Sequence, residues 1–366
     1  MKRPDYVLMI LIGIFVFFGF LMLSSATAPY ATVEHGDSYH YVKNQFIRGL
    51  LPGIFLFWLF YRLDYHLLRR HSNKIFFVTI ILLLLVFIPG IGTSQGTGSF
   101  SWIKIPKIGT FQPSELAKLG MIIFFAAWFE YRSKNKSKEK WQTLIQFSIF
   151  LGIISMLILK QPDMGTMSII VLIALLMYFV AGAPIKYFAS IGVLGIVGGL
   201  FLIIIAPYRF KRFTTFIDPS KDPQGIGYHI TQALLAIGSG GWFGVGLGHS
   251  TQKFRYLPEV SADSIFAIIG EELGFVFTAF FILALILFLV RSIKIAFNSP
   301  DLFGKFLATG IIGWIILQSF VNISAMLSLM PLTGVPLPFV SSGGSALITL
   351  LASCGILVNI SRWSEK

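Results

Sequence analysis

The sequence predicts an all-α integral membrane protein of about ten transmembrane helices, with one large polar loop between spans 7 and 8. Three observations lead there. Of 366 residues, 55% are hydrophobic and only 12% charged, with a mean hydropathy of +0.78, far outside soluble globular usage. Apolar runs long enough, or nearly so, to cross a hydrocarbon layer of about 30 Å recur along the chain. These runs are continuous, whereas the strands of a membrane barrel would alternate about every second residue.

The runs fall at 6–27, 47–62, 75–90, 113–131, 143–160, 164–182, 186–207, 264–290, 306–330 and 343–361. The first ends in Ser25-Ala26-Thr27-Ala28, which imitates a signal-peptidase site. Its apolar stretch exceeds the usual h-region of about 7–15 residues, so it reads as a membrane helix. Pro113 and Glu115 mark the start of the fourth span, and Asp163 is a helix cap for the sixth. In the seventh, Gly192, Gly195, Gly198 and Gly199 either pack against neighbouring helices or offer a docking face to a partner helix. Asp263 stands where an N-cap of the eighth would stand. No repeat is visible, and 1–366 reads as a single polytopic domain.

Orientation follows from the cations in short loops. With the N-terminus inside, the cytoplasmic side receives Lys2, Arg3, Arg62, Arg69, Arg70, Lys74, the run from Arg132 to Lys140, Lys186, Arg291, Lys294, Lys305, Arg362 and Lys366, so both termini are cytoplasmic. That bias and anionic lipid account for most of the net charge of +13, and nucleic acid is not implied. A single cysteine, Cys354, excludes an internal disulfide framework and a Cys-based zinc site. The histidines show no metal spacing.

The loop over about 208–264 carries the richest chemistry and lies outside on this topology. Its basic opening includes Arg209 and Arg212, its middle from Gly238 to Gly248 is glycine-rich, and its close is Leu257-Pro258-Glu259-Val260-Ser261-Ala262-Asp263. Cations, flexible backbone and carboxylates at a membrane surface suit a substrate with an anionic head and an apolar tail. No window reads G-x-G-x-x-G, so a dinucleotide site is rejected. The glycines either present N–H groups to an anion or allow a re-entrant turn. Within the spans, Lys118 with Glu115 at i, i+3, and the adjacent pair Glu271 and Glu272, are costly in lipid unless paired or wet. The uncharged segment from Pro331 to Ser345 needs shelter for its backbone at membrane depth.

Taken in order, Phe111 to Lys118, Gln161 to Thr166, Asp218-Pro219 with Gly227-Tyr228 and Gln232, Ala236 to Gly241, Leu257-Pro258-Glu259 with Asp263, Gly270 to Gly274 and Gly334 to Gly344 resemble the shape, elongation, division and sporulation (SEDS) family, which includes FtsW and RodA. Gly246 to Lys253 and Gly355 to Arg362 look more like FtsW, and Thr333 to Pro336 more like RodA. The resemblance implies a ten-helix peptidoglycan glycosyltransferase of the bacterial cytoplasmic (inner) membrane, polymerising lipid II at the outer face for cell division or cell-shape growth. It implies a class B penicillin-binding protein and other divisome or elongasome membrane proteins as partners. It also places the catalytic carboxylate at Asp263, with Lys118, Glu115, Arg209, Arg212, Gln232, Lys253, Glu259 and Ser341 as substrate-binding candidates. The chain departs from the family where Phe100 and Ser101 replace an arginine before Trp102, where Ala262-Asp263-Ser264 replaces Thr-Asp-Phe, where Ser342 replaces Tyr, and where Ala346 replaces Ser.

A donor already activated as a diphosphate needs little acid help at its leaving group, but the attacking hydroxyl needs a base within hydrogen-bond reach. One carboxylate suffices. Cations such as Lys118, Arg209 and Arg212, or a bound divalent cation (Mg or Mn), would stabilise the diphosphate, and the motifs assign no other cofactor. Two other readings stay open: a flippase for the same lipid precursor, with Glu271, Glu272 and Lys118 along its path, and a non-catalytic division scaffold.

Overall fold

The computed structural model describes residues 3–94, 100–106, 109–134, 140–254 and 256–363. Gly98, Ser99, Lys107 and the middle of the run from Arg132 to Lys140 lie outside them. Helices form at all ten apolar runs: α1 (Tyr6–His35), α2 and α3 (His40–Gln45 and Leu51–Arg62), α4 (His66–Leu85), α5 (Pro113–Lys134), α6 (Lys140–Leu159), α7 (Met164–Val180), α8 (Ile185–Ile205), then α11 (Ile265–Phe297), α12 (Leu302–Met326) and α13 (Gly344–Ser361), with α9 (Pro207–Ile217) and α10 (Ile226–Ser239) between α8 and α11. Among the described residues, six helices are long and apolar enough to cross a membrane by themselves, and α7 is a shorter apolar helix.

Helix ends follow caps rather than the edges of the apolar runs. Asp5 accepts from Leu8 N at the start of α1, Asp163 from Thr166 N at α7, and Asp301 from Gly304 N at α12. Consequently the ninth helix starts at Leu302 rather than near 306, and the third starts at His66, where Asp64 accepts from His66 N, rather than near 75. The second span runs unbroken from His40 to Arg62 through a π-helical turn over Phe46–Leu50. Pro52, which lacks the N–H that residue 48 would otherwise receive, explains the widened turn.

Two features differ from the expectation. Between α4 and α5 the chain forms a small antiparallel sheet in the order β1 (Gly92–Thr93), β2 (Trp102–Ile105), β3 (Gly109–Phe111), with Ile103 opposite both Gly92 and Phe111. Its strands are too short to show a two-residue alternation in the sequence. The stretch after α8 is not simply a loop either, since α9 and α10 occupy much of it. The buried residues of α10, Gly227, Ile230, Ala233 and Ala236, recur every three residues and form one face.

The best-buried helices, α12 and α13, form the centre, with α12 against α5, α7 and α11, and α13 against α3. The ends of the bundle are distinct. At one, Asp5 N donates to Ser361 Oγ, Arg291 pairs with Asp5, Arg69 pairs with Glu130, and the Tyr65 hydroxyl donates to Asp301. At the other, Ser101 Oγ donates to the Gln161 carbonyl, Gln112 N to Ser345 Oγ, and Gly343 N to Gln45 Oε1. Helix α8 stands apart: a Cβ added at Gly192, Gly195, Gly198 or Gly199 would meet nothing within 4 Å. Among the described residues nothing packs against those glycines.

Candidate active site

Asp263 lies at the second end of the bundle, immediately before α11 and only 7% exposed. Its backbone is fixed by three successive carbonyl acceptors. Ser342 N donates to Ser261 O at 2.7 Å, the Ser341 hydroxyl donates to Ala262 O, and Asn322 Nδ2 of α12 donates to Asp263 O at 2.8 Å. Asn322 also donates to Val335 O at 2.8 Å, tying the same helix to the 331–343 segment. Gly334, with φ +69, faces the carboxylate, and a Cβ there would lie 3.9 Å from Asp263 Oδ2.

The surroundings tune the carboxylate. Burial pushes its pKa up to about 6, opposed by the Ser264 hydroxyl and the Arg212 charge. Glu259, in a left-handed conformation at φ +49, is raised by desolvation and by the Asp263 charge. A carboxylate poised there is largely ionised near neutral pH, yet more basic than an ordinary aspartate.

Of the sequence candidates, Arg212, Glu259 and Ser341 gather around Asp263. Arg212 also reaches the Leu332 carbonyl at 3.5 Å. Arg209 turns away, donating to Tyr208 Oη and Leu202 O. Gln232 is half-buried one residue off the packed face of α10. Ser341 is a latch rather than an open ligand group, since it is buried and bonded to both Ala262 O and Leu337 N.

Lys118, Glu115 and Lys253 are each engaged in buried pairs away from the Asp263 carboxylate's immediate partners. Lys118 is 1% exposed; its ammonium donates to Glu115 Oε1 and Gln318 Oε1, both at 2.8 Å, and lies 4.9 Å from the Trp314 ring centroid. Gln318 Oε1 also accepts from Trp314 Nε1, and Gln318 Nε2 donates to Pro336 O. The adjoining cavity, about 20 Å³, has room for a water and not for a phosphate. Lys253 donates to Glu272 Oε1 at 2.8 Å and to Ser25 Oγ of α1 at 3.2 Å. These are buried ties between elements, as the cost of isolated charge in lipid requires.

The glycine-rich segment folds as a turn packed against the break in α11. Helix α11 breaks at Gly274, whose φ 73° and ψ −176° are essentially restricted to glycine. The break frees backbone groups, and the 241–246 stretch takes them: Val245 N and Gly246 N donate to Glu271 O and Glu272 O, while Phe275 N and Val276 N donate to Gly241 O and Trp242 O. Glu271 accepts from Ser250 Oγ, Thr251 Oγ1 and Thr251 N, holding the far side of the turn. Glu271 and Glu272 thus point to different partners, as adjacent helical residues must. A Cβ at Gly274 would sit 2.2 Å from Gly244 N. Gly274→Ala is expected to cost about 1–3 kcal/mol from backbone strain alone, with a lower unfolding midpoint in detergent and faster proteolysis of the 240–252 segment as the readout.

Sequence reasoning missed Gln318, Asn322 and His229. Gln318 and Asn322 are spaced i, i+4 in a largely apolar helix, a pattern that marks one polar stripe and could have flagged them. His229 Nε2 lies 2.6 Å from Ser264 Oγ, a contact across 35 residues that no local pattern announces. Among the described residues no group of three or more His, Cys, Asp or Glu side chains could hold a metal ion, so no step is derived through one.

The profile of FTSW_RODA_SPOVE, cell cycle protein, matches residues 5–366. Stage V sporulation protein E of Bacillus subtilis (strain 168) is 41% identical over 366 residues, covering 99% of this chain and 98% of that protein. The probable peptidoglycan glycosyltransferase FtsW of Geobacter sp. (strain M18) is 37% identical over 357 residues, covering 98% and 96%. Among solved structures, a chain described under "Structural coordination of polymerization and crosslinking by a peptidoglycan synthase complex" superposes with a TM-score of 0.80 at 26% identity, covering 99% and 98%. The rod shape determining protein RodA of Thermus thermophilus gives 0.72 at 26% identity, covering 99% of both chains. With apolar helices suited to a multi-pass membrane protein, an ordered set of motifs along nearly its whole length and this breadth of likeness, the chain belongs to the FtsW/RodA/SpoVE family of cell cycle proteins.

Proposed function

We propose that this protein is a peptidoglycan glycosyltransferase that polymerises lipid II at the outer face of the bacterial cytoplasmic membrane, with Asp263 as general base. The observation that carries the proposal is the fixing of Asp263: three consecutive carbonyls, of residues 261, 262 and 263, are each held by a donor from 341, 342 or α12. A base must be held within hydrogen-bond reach of the hydroxyl it serves. Asp263 takes the proton from the acceptor sugar hydroxyl as that oxygen attacks the anomeric carbon, and the bond to the lipid diphosphate breaks with the electron pair leaving on the diphosphate. Arg212, whose charge bears on Asp263, is placed to stabilise that negative charge. The name of the Geobacter relative supports the activity.

The outer-face assignment rests on charge. The end of the bundle with both termini gathers Arg62, Arg69, Arg70, Lys74, Arg132, Lys134, Arg291, Lys294, Lys305 and Arg362, the bias expected of a cytoplasmic side. Asp263 is at the opposite end. A cysteine introduced as Ser220→Cys is expected to react with an impermeant thiol reagent on cells stripped of outer barriers, and one introduced as Ser137→Cys is not. The buried Cys354 contributes little background. The reversed pattern would overturn the external site.

A class B penicillin-binding protein is the proposed partner, supported by the likeness to a chain of a peptidoglycan synthase complex. The flippase reading loses its support, since Glu271, Glu272 and Lys118 are each engaged in buried ties rather than lining an open path. Purified protein given labelled lipid II, with product length read on a gel, tests the activity. Glycan strands from this chain alone are expected, and translocation into the opposite leaflet without polymer would favour the flippase.

A further inference from the structure

Ser264 occupies the position where the family resemblance leads to an expectation of phenylalanine, and its wholly buried hydroxyl joins groups from two elements. Three partners surround Ser264 Oγ: His229 Nε2 of α10 at 2.6 Å, the Pro258 carbonyl at 2.8 Å and Asp263 Oδ1 at 3.4 Å. A hydroxyl has one hydrogen to give. The Pro258 carbonyl and the ionised Asp263 can only accept, whereas an imidazole nitrogen can donate or accept according to tautomer. If His229 took the hydroxyl hydrogen, both oxygen acceptors would go without it in a buried site. With Nε2–H as donor, the serine hydrogen is left for the two oxygens to share, its shorter leg to the Pro258 carbonyl at 2.8 Å and its longer leg to Asp263 Oδ1 at 3.4 Å.

The charges that face the ring are consistent with a neutral imidazole. Burial holds His229 below its ordinary range; Arg212 of α9 pushes the same way, and Glu259 opposes. Asp263 lies beyond the serine, and the 331–343 segment brings no ionisable side chain. Ser264 in turn opposes the burial that raises the Asp263 carboxyl.

We propose that His229, donating from Nε2–H to Ser264, is a positioning residue that keeps the Ser264 hydrogen available to Pro258 and Asp263 and so favours the ionised carboxylate. This rests on the reading of Asp263 as the base. In this reading His229 acts through the serine, which it contacts at 2.6 Å. Without the link, the carboxylate loses a hydrogen bond to its charged form, and its protonation moves to higher pH.

The test is the pH dependence of lipid II polymerisation by the full chain in detergent, for the wild type, Ser264→Ala, His229→Ala, His229→Gln and Asp263→Asn. Ser264→Ala and His229→Ala are expected to shift the acid limb upward by about one pH unit, a roughly eightfold loss of rate at pH 5.5 with little change at pH 8.5. His229→Gln retains an N–H donor and is expected to keep the limb near the wild-type position. Ser264→Ala removes a single oxygen, so it carries the test should His229→Ala fail to fold. An unmoved limb in Ser264→Ala, whether the rate is kept or lowered equally at every pH, overturns the inference. Activity in Asp263→Asn would instead overturn the assignment of the base, so the two failures are distinguishable.

Discussion

Asp263→Asn is expected to abolish polymerisation, with a loss of at least about a hundredfold, the lower end of what a positioned general base contributes. The amide keeps the shape of the side chain and removes its ability to take a proton. The backbone ties from Ser342, Ser341 and Asn322 go to carbonyl oxygens and survive the change, so expression, the unfolding midpoint and lipid II binding are expected to stay near wild type. Near-normal polymer from a folded Asp263→Asn protein would sink the assignment. The wild-type rate should also titrate. A base raised by burial to about 6 is protonated below that pH, so activity is expected to fall as pH drops through 6 and to level off above 7. An ordinary aspartate would hold its activity down to about 4. An acid limb centred there would show that Asp263 is wetter than its surroundings indicate.

Lys118→Met is expected to destabilise the protein by about 3–5 kcal/mol, the usual cost of removing one partner from a buried ion pair. The substitution strands Glu115 in a nearly dry site and takes a donor from Gln318, which positions the Pro336 carbonyl and with it the 331–343 segment. Activity should fall along with stability, because that segment holds residues 261 and 262. The double change Glu115→Gln with Lys118→Met removes the stranded charge and should recover much of the unfolding midpoint in detergent. A folded Lys118→Met protein of wild-type stability, inactive only through weaker lipid II binding, would return Lys118 to the role of diphosphate contact that its charge suggests. The burial of its ammonium between Glu115, Gln318 and Trp314 argues for the tie.

The placement of the helices was legible because in a lipid solvent every spanning backbone must satisfy its own hydrogen bonds, which leaves long continuous apolar helices as the solution. The costly charges were legible for the same reason: Lys118, Glu271 and Glu272 each had to have a partner, and Glu115 was visible at i, i+3 from Lys118. Asp263 was visible through its motif and its place at the head of a helix.

What the sequence could not decide was which partner each group takes when the partner is far along the chain. Lys253 meets Glu272 and Ser25, Asn322 meets Asp263 and Val335, and Gln318 meets Lys118 and Pro336, over separations of up to 228 residues. Each such bond depends on how the helices pack against one another, and helix packing within lipid is set by close approach of shapes rather than by hydropathy. The glycines show the difference most sharply. Their abundance in the loop marked a place where backbone comes close to something, but only the tertiary structure made that partner the broken helix at Gly274, and left the glycines of α8 facing nothing among the described residues. Composition and periodicity determined the class of fold and the identity of its polar residues; the folded chain decided which of them are structural ties and which surround Asp263, because burial and pairing belong to the packed bundle and not to any single segment.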